Sequence, residues 1–379
     1  MRIAFISASK VPSRTANSIE VMKVCQAFQE LGRTIHLWIP GKNPRVAWSE
    51  LAELYGLQES FAITWIPSWP VLRRYDFSVQ AVLDSRRWGA DLLYIWPLQA
   101  AALAAKMGLD TLLEVHDAPQ GRFGPWLFKQ FLKGSGARRI LPITDAIRTW
   151  LVDAYQTPLD PPFSVIAPSG VDLARFAGLP EPENARKELQ WPDKVTVGYT
   201  GHLYRGRGMN LMLDLARTHS ELNFVWAGGE PDTVNEWREK IAIEDLGNLT
   251  LLGFVPNERL PIIQAACDIL MLPHERHVSA SSGGDIARFT SPMKLFEYLA
   301  SGRAILSSDL PVLREVLDEQ VAVLVPPEDV RAWSNALQDL STDPARRKIL
   351  GDAARQKAEQ YSWVRRAANS IAGLVDSDV

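Results

Sequence analysis

Thr290-Ser-Pro-Met-Lys-Leu-Phe-Glu-Tyr-Leu-Ala-Ser-Gly302 carries helix signals at both ends. Ser291 is a good N-cap, Pro292 suits the first helical position, and Gly302 suits the stop. Short apolar runs flank the helix at 268–272 and 303–306, so the region reads strand, helix, strand, the rhythm of a parallel α/β sheet. Working outward, the same alternation gives strands near 195–200, 222–227, 249–252 and 321–324. An earlier series lies at 2–7, 35–39, 61–65, 91–95, 111–115, 139–143 and 163–166. In its first helix Val21, Val24, Cys25, Phe28 and Leu31 recur at helical spacing, with Ser18 as N-cap and Gly32 as stop.

The chain of 379 residues suits two such domains. A polar stretch from Leu179 to Asp193, with Pro180, Pro182 and Pro192, reads as the linker. The expected organisation is 1–180, 181–362, and a final segment 363–379 whose helix (Trp363 to Val375) crosses back onto the first domain. A net charge of −3 argues against a nucleic-acid partner held by bulk charge. Cys25 and Cys267 both sit in apolar helical patterns, which suits a reducing cytosol. Arg2 to Ser7 is already an alternating strand, not a signal peptide, and the apolar tract Leu92 to Leu109 is broken by Pro97, Gln99 and Lys106. A cytoplasmic protein is expected.

Lys294 falls in the first turn of the 290–302 helix, where a cation opposes the macrodipole, and Glu297 lies one turn on. The placement makes sense if a diphosphate docks at the free N–H groups, with Lys294 adding charge and Glu297 reaching ribose hydroxyls. A Lys–Glu surface pair is the plainer reading. Gly198-Tyr-Thr-Gly-His-Leu-Tyr-Arg-Gly-Arg-Gly208 ends a strand and opens a helix, putting His202, Arg205 and Arg207 in the crevice where α/β sheets bind ligands. Arginines there match phosphate oxygens, although a solvated basic turn fits equally well.

Taken together, Gly201-His-Leu-x3-Arg-Gly208, Trp226-Ala-Gly-Gly229, Gly253-Phe-Val255 and Ser291-Pro-x-Lys-x2-Glu-Tyr-x-Ala300 resemble the donor domain of GT-B glycosyltransferases of the GT4 type, the group 1 family. Ser169-Gly-Val-Asp-x3-Phe176 resembles that family's hinge segment, and Val115-His-Asp117 its His-Asp strand end. The resemblance implies two facing Rossmann-like domains. It also implies a retaining, metal-independent transfer from a UDP- or GDP-sugar, with the nucleotide sugar as substrate and no cofactor. His116, Arg207 and Lys294 would be catalytic. Gly201, His202, Arg205, Gly228, Phe254, Ser291, Pro292, Met293 and Glu297 would hold the donor, and Ala16, Asn17 and Ser18 would form the acceptor-side loop. The family's usual Arg is replaced by His202, and the first Glu of its E-x7-E pair by Phe289, with Asp285 and Arg288 as neighbouring substitutes. The N-terminal loop lacks paired glycines. Asp117 also fits a cap and Gly228-Gly229 a tight turn.

The acceptor is an unidentified saccharide or lipid-linked glycan. Gly121 to Arg139 carries five basic and no acidic residues among Phe123, Trp126, Phe128 and Phe131, a pattern for peripheral contact with the inner membrane face or for a core helix with solvated lysines. The rival readings are a nucleotide-sugar epimerase on the same fold and a degenerate transferase kept as a binding partner. A nicotinamide oxidoreductase is disfavoured, because Ala8 to Ser13 lacks a G-x-G-x-x-G turn.

Overall fold

A computed structural model describes residues 1–279, 285 and 287–374. The chain divides into two units, Met1–Ser169 with the residues from Trp363 onward, and Gly170–Ser362.

The first unit holds a six-stranded sheet built from β1 (Arg2–Ile6), β2 (Thr34–Pro40), β3 (Ala62–Ile66), β4 (Leu92–Ile95), β5 (Thr111–Val115) and β6 (Ala137–Pro142). The order is β3-β2-β1-β4-β5-β6 and the pairings are parallel. The second unit repeats the plan with β7 (Thr196–Thr200), β8 (Asn223–Ala227), β9 (Leu249–Gly253), β10 (Ile269–Leu272), β11 (Ala304–Ser308) and β12 (Ala322–Val325), in the order β12-β11-β10-β7-β8-β9. Both are doubly wound, and each has a topological switch point, between β1 and β4 in one and between β7 and β10 in the other. Helices cover both faces, so strands such as β4 and β7 are buried from end to end, which is why they read as unbroken apolar runs.

The C-terminal helix Trp363–Ile371 packs against helix Ala16–Glu30 inside the first unit. Its last turn ends on an arginine from the sheet: Arg139 of β6, itself buried, donates to the carbonyls of Ser370 and Ala372 at 2.8 Å each. A guanidinium fork thereby satisfies carbonyls that a helix end leaves open. Val375, expected in this helix, lies outside the described residues.

Several local expectations are corrected. Residues 163–166 contribute an isolated bridge, Ile140 to Ser164, and no named strand. The polar stretch 179–193 contains a helix, Pro182–Leu189, anchored by buried Ala185 against Ala265 and Ala266 and by Arg186, which meets Asp268 at 2.8 Å. The division between units falls at Ser169/Gly170, ahead of residue 180, because Val171 pairs with Ser362 and Arg303 binds the Pro180 carbonyl at 2.6 Å within the second unit. Thr15, extended at φ −76° and ψ 150°, is the N-cap of the first helix; Ser18 lies inside that helix and bonds Tyr55 Oη at 2.5 Å. Helix Met293–Ser301 takes Pro292 as N-cap in place of Ser291, and Gly302 ends it at φ 66°.

Candidate functional site

In the second unit, the Gly201–Gly208 loop follows β7 and His274 follows β10, so the two flank the switch point between adjacent strands. Helix Met293–Ser301 brings Lys294 to the same place. Gly201, at φ +134°, is required here: a Cβ on it would lie 2.6 Å from Lys294 Nζ. Gly208, at φ +73°, lets the loop press against the Pro273 carbonyl, where a Cβ would meet that oxygen at 2.1 Å.

Three basic side chains converge. Arg207 Nη1 donates to His274 Nε2 at 2.8 Å, which fixes His274 as the neutral tautomer with its proton on Nδ1. Lys294 Nζ rests 3.8 Å from the centre of the Tyr199 ring. Among the described residues, Lys294 Nζ, Arg207 Nε and His274 Nδ1 are enclosed donors without a hydrogen-bond acceptor. Burial, then the charge of Arg207, holds the Lys294 ammonium well below its usual pKa, against a smaller pull from Glu297. Burial, then Arg207 and Lys294, drives His274 well below the imidazole range. Burial also lowers Arg207. A buried group of donors crowded with positive charge and short of acceptors is built for an oxygen-rich anion. Glu297 lies on the same helix and accepts from Gln264 Nε2 at 3.3 Å.

Of the other expected donor residues, His202 stacks flat on Tyr204 at 4.7 Å. Gly228, at φ +123°, packs so closely that a Cβ would sit 2.3 Å from the Gly201 carbonyl oxygen. Ser291, Pro292 and Met293 are half-buried at the helix start, and Phe254 is exposed just after β9. Arg205 is exposed and contributes its backbone carbonyl to Ser279 N at 3.1 Å. Phe289 is buried with the Arg288 guanidinium 5.2 Å from its ring centre. Asp285 is taken up by His277 Nδ1 at 2.7 Å and by the amides of Val278 and Ala287, a turn-forming role.

In the first unit, His116 follows β5 and lines a cavity of about 810 Å³ together with Asp117, Trp96, Arg73 and Arg122. Its ring lies 4.5 Å from that of Trp96. Nε2 of His116 is 2.7 Å from Oε1 of the buried Glu114, and Arg366 of the C-terminal helix is 2.8 Å from Glu114 Oε2. Asp117 accepts from the Ala118 amide at 2.7 Å and from Gln120, closing a turn. On the N-terminal loop Ala16 and Asn17 are exposed at the start of the first helix, whereas Ser18 is buried and committed to Tyr55, so its side chain is withdrawn from a ligand-facing role. In the 121–139 segment Phe128 and Phe131 are core residues, while Phe123 and Trp126 are exposed.

His274, Tyr199, Glu114 and Arg366 were not singled out from sequence. A signal existed for two of them: Glu114 stands two residues before His116, the spacing that shares one face of a strand, and His274 stands at the end of the strand beside β7.

Comparison with known proteins places these features in context. Residues 181–357 match the family model described as Glycosyl transferases group 1. The chain is 28% identical to D-inositol 3-phosphate glycosyltransferase of Kineococcus radiotolerans over 252 residues, 60% of this chain and 54% of that protein. It is 26% identical to phosphatidyl-myo-inositol mannosyltransferase of Mycolicibacterium smegmatis over 230 residues, 59% and 53% of the two. These matches span about half the length of the curated relatives. In three dimensions the whole chain is similar to Anabaena Alr3699/HepE in complex with UDP and glucose, at a TM-score of 0.74 and 16% identity, covering 100% of both chains.

Proposed function

From membership of the group 1 glycosyltransferases, carried by residues 181–357 within a GT-B fold, we propose that this chain transfers a hexose from a UDP- or GDP-sugar to a hydroxyl-bearing acceptor. The observation that carries the reading is the enclosed, acceptor-poor cluster of Arg207, Lys294 and His274 at the switch point of the second unit. A nucleoside diphosphate supplies the oxygens these donors lack, and Glu297, one turn along the helix from Lys294, is placed to take ribose hydroxyls. The UDP and glucose bound by the Anabaena protein suit the same donor class.

The chemistry asked of the protein is electrostatic. As the bond from the anomeric carbon to the diphosphate breaks, negative charge grows on the leaving oxygen, and Arg207 and Lys294 stabilise it most where it is greatest, in the transition state. We read the transfer as retaining, with the departing phosphate oxygen taking the acceptor proton, and as independent of a resident metal.

For the acceptor we propose the cavity beside His116. Its lining includes exposed apolar groups: Val71 is 82% exposed, and Leu72, Tyr75 and Phe123 are exposed beside Arg73 and Arg122. Aromatic and basic groups together suit a lipid-linked acceptor met at the cytoplasmic face of a membrane. No helix among the described residues is long and apolar enough to cross a bilayer.

The test is a transfer assay with UDP- and GDP-sugars against saccharide and lipid-linked acceptors, following nucleotide release and product mass. Acceptor-dependent release of one nucleotide diphosphate supports the proposal. Sugar conversion without an acceptor would favour an epimerase, and donor binding with no turnover under any acceptor would favour a binding role.

A further inference from the structure

A second cluster of charge lies in the first unit, and the chemistry above uses only one member of it. Five elements meet around Glu114, which is 1% exposed. From β5 and the residue after it come Glu114 and His116. The helix Ala16–Glu30 supplies Glu20 and Cys25, β4 supplies Tyr94, the C-terminal helix supplies Arg366, and the 167–169 segment supplies backbone carbonyls and Ser169.

The contacts divide the Glu114 carboxylate cleanly. Oε1 faces His116 Nε2 at 2.7 Å. Oε2 takes Arg366 Nη2 at 2.8 Å and the Tyr94 hydroxyl. Arg366 is in turn clamped, with Nε on the Pro168 carbonyl at 2.7 Å, Nη2 on the Ala167 carbonyl at 3.2 Å and Nη1 on Tyr94 Oη at 3.1 Å. Glu20 is held by the Ser169 hydroxyl at 3.0 Å. Arg366 and Tyr94 therefore hold Glu114 in place, with Oε1 in close charge contact with the Nε2 edge of the His116 ring. Nδ1 is then the His116 atom left for a ligand in the cavity that His116 lines.

We infer that Glu114, braced by Arg366 from the C-terminal helix, is a positioning residue that holds the His116 ring at its Nε2 edge and leaves Nδ1 as the ring atom available to a ligand in the cavity. The electrostatics agree with the geometry. Burial works against an imidazolium, but the hydrogen bond and charge of Glu114, with the charge of Glu20, outweigh burial and Arg366 and raise His116 above its ordinary value. For Glu114, burial is overcome by Arg366 and by the hydrogen bond and charge of His116, and its pKa falls to about 2. Burial raises Glu20, and burial with the Glu114 charge raises Cys25 and Tyr94.

That the ligand beside Nδ1 is a sugar or an acceptor rests on the transferase reading, but the test of Glu114 does not. Histidine ring resonances of the full chain are followed by heteronuclear NMR between pH 5 and 9, roughly the range in which an imidazole titrates. His116 is identified by their loss in His116→Asn. The expected midpoint lies above the ordinary value of about 6.5, with ring nitrogen shifts placing the proton of the neutral ring on Nε2. In Glu114→Gln, which keeps the shape and removes the charge, the midpoint falls to that value or below, and Glu114→Asp restores part of the rise. A parent midpoint at or below about 6.5, or one unchanged in Glu114→Gln, overturns the inference. Should Glu114→Gln fail to fold, the parent titration alone decides it. Absence of nucleotide binding by the second unit would sink the transferase reading and leave this titration as it is.

Discussion

The two charged clusters are built on opposite principles. Around Glu114, two carboxylates face one guanidinium and one imidazole, and the oxygens of Glu114 are divided between them. Around Lys294, three basic groups meet with enclosed donors lacking acceptors, and burial lowers all three. The first arrangement sets carboxylates against basic groups and serves to hold one ring. The second is incomplete as a piece of protein and becomes complete only with an anion. A buried cluster that balances its own charge is part of the fold, and one that does not is a place prepared for a ligand.

This contrast is most exposed to failure at Arg366. Replacing it with Met strands Glu114 and Glu20 in the core, and loss of one partner of a buried pair typically costs about 3–5 kcal/mol. Urea unfolding of Arg366→Met should show a loss of that order, with Arg366→Lys losing less. If Arg366→Met is as stable as the parent, the first cluster is not holding the fold.

The mirror experiment is Arg207→Ala. Removing a charge from an unbalanced cluster should leave folding stability nearly unchanged, yet cut turnover about 10²–10³-fold, as loss of a preorganised transition-state contact does. Equal activity in the variant would show that the cluster faces no leaving group.

A finer consequence concerns protons. Lys294 and His274 are held below their usual values in the free protein, and a bound diphosphate would raise both. Nucleotide binding should therefore take up protons and weaken as pH rises. Calorimetry in two buffers of different ionisation enthalpy reads this directly, and release of protons would contradict it.

The smallest effect is the pH-dependent part of stability carried by Glu114 and His116. Glu114 is depressed, so its contribution to stability is complete above its unfolded value of about 4.3 and is lost as pH falls toward about 2. His116 is raised, so its share is complete below its unfolded value of about 6.5 and is lost as pH rises through the folded one. The advantage in Tm of the parent over Glu114→Gln should thus be widest between pH about 4.3 and 6.5. A flat difference from acid to alkaline pH would separate the ring from the carboxylate.

Much of the fold was legible because strands covered on both faces read as plain apolar runs, and the alternation from β7 onward follows directly from them. The convergence of Lys294 and Arg207 was legible as well, since it follows from positions beside a helix start and a strand end. What escaped was either long-range or conformational. Arg366 reaches Glu114 from the far end of the chain, and nothing local marks it. Ser18 and Ser291 have the chemistry of caps, but Ser18 is drawn to Tyr55, and the helix near Ser291 begins after extended Pro292. The Leu179–Asp193 stretch looked like linker because it is polar and proline-rich, while its helix is held by a narrow alanine contact and the buried Arg186–Asp268 pair.

The central claim, that the Arg207, Lys294 and His274 cluster holds the diphosphate of a nucleotide sugar, is tested most directly by calorimetric titration of the full chain with UDP, GDP and their nucleosides, alongside Arg207→Ala and Glu297→Ala. The account predicts binding of one nucleoside diphosphate, little or none of its nucleoside, and loss in both variants. Equal binding of nucleoside and diphosphate, or no binding of either nucleotide, would contradict it.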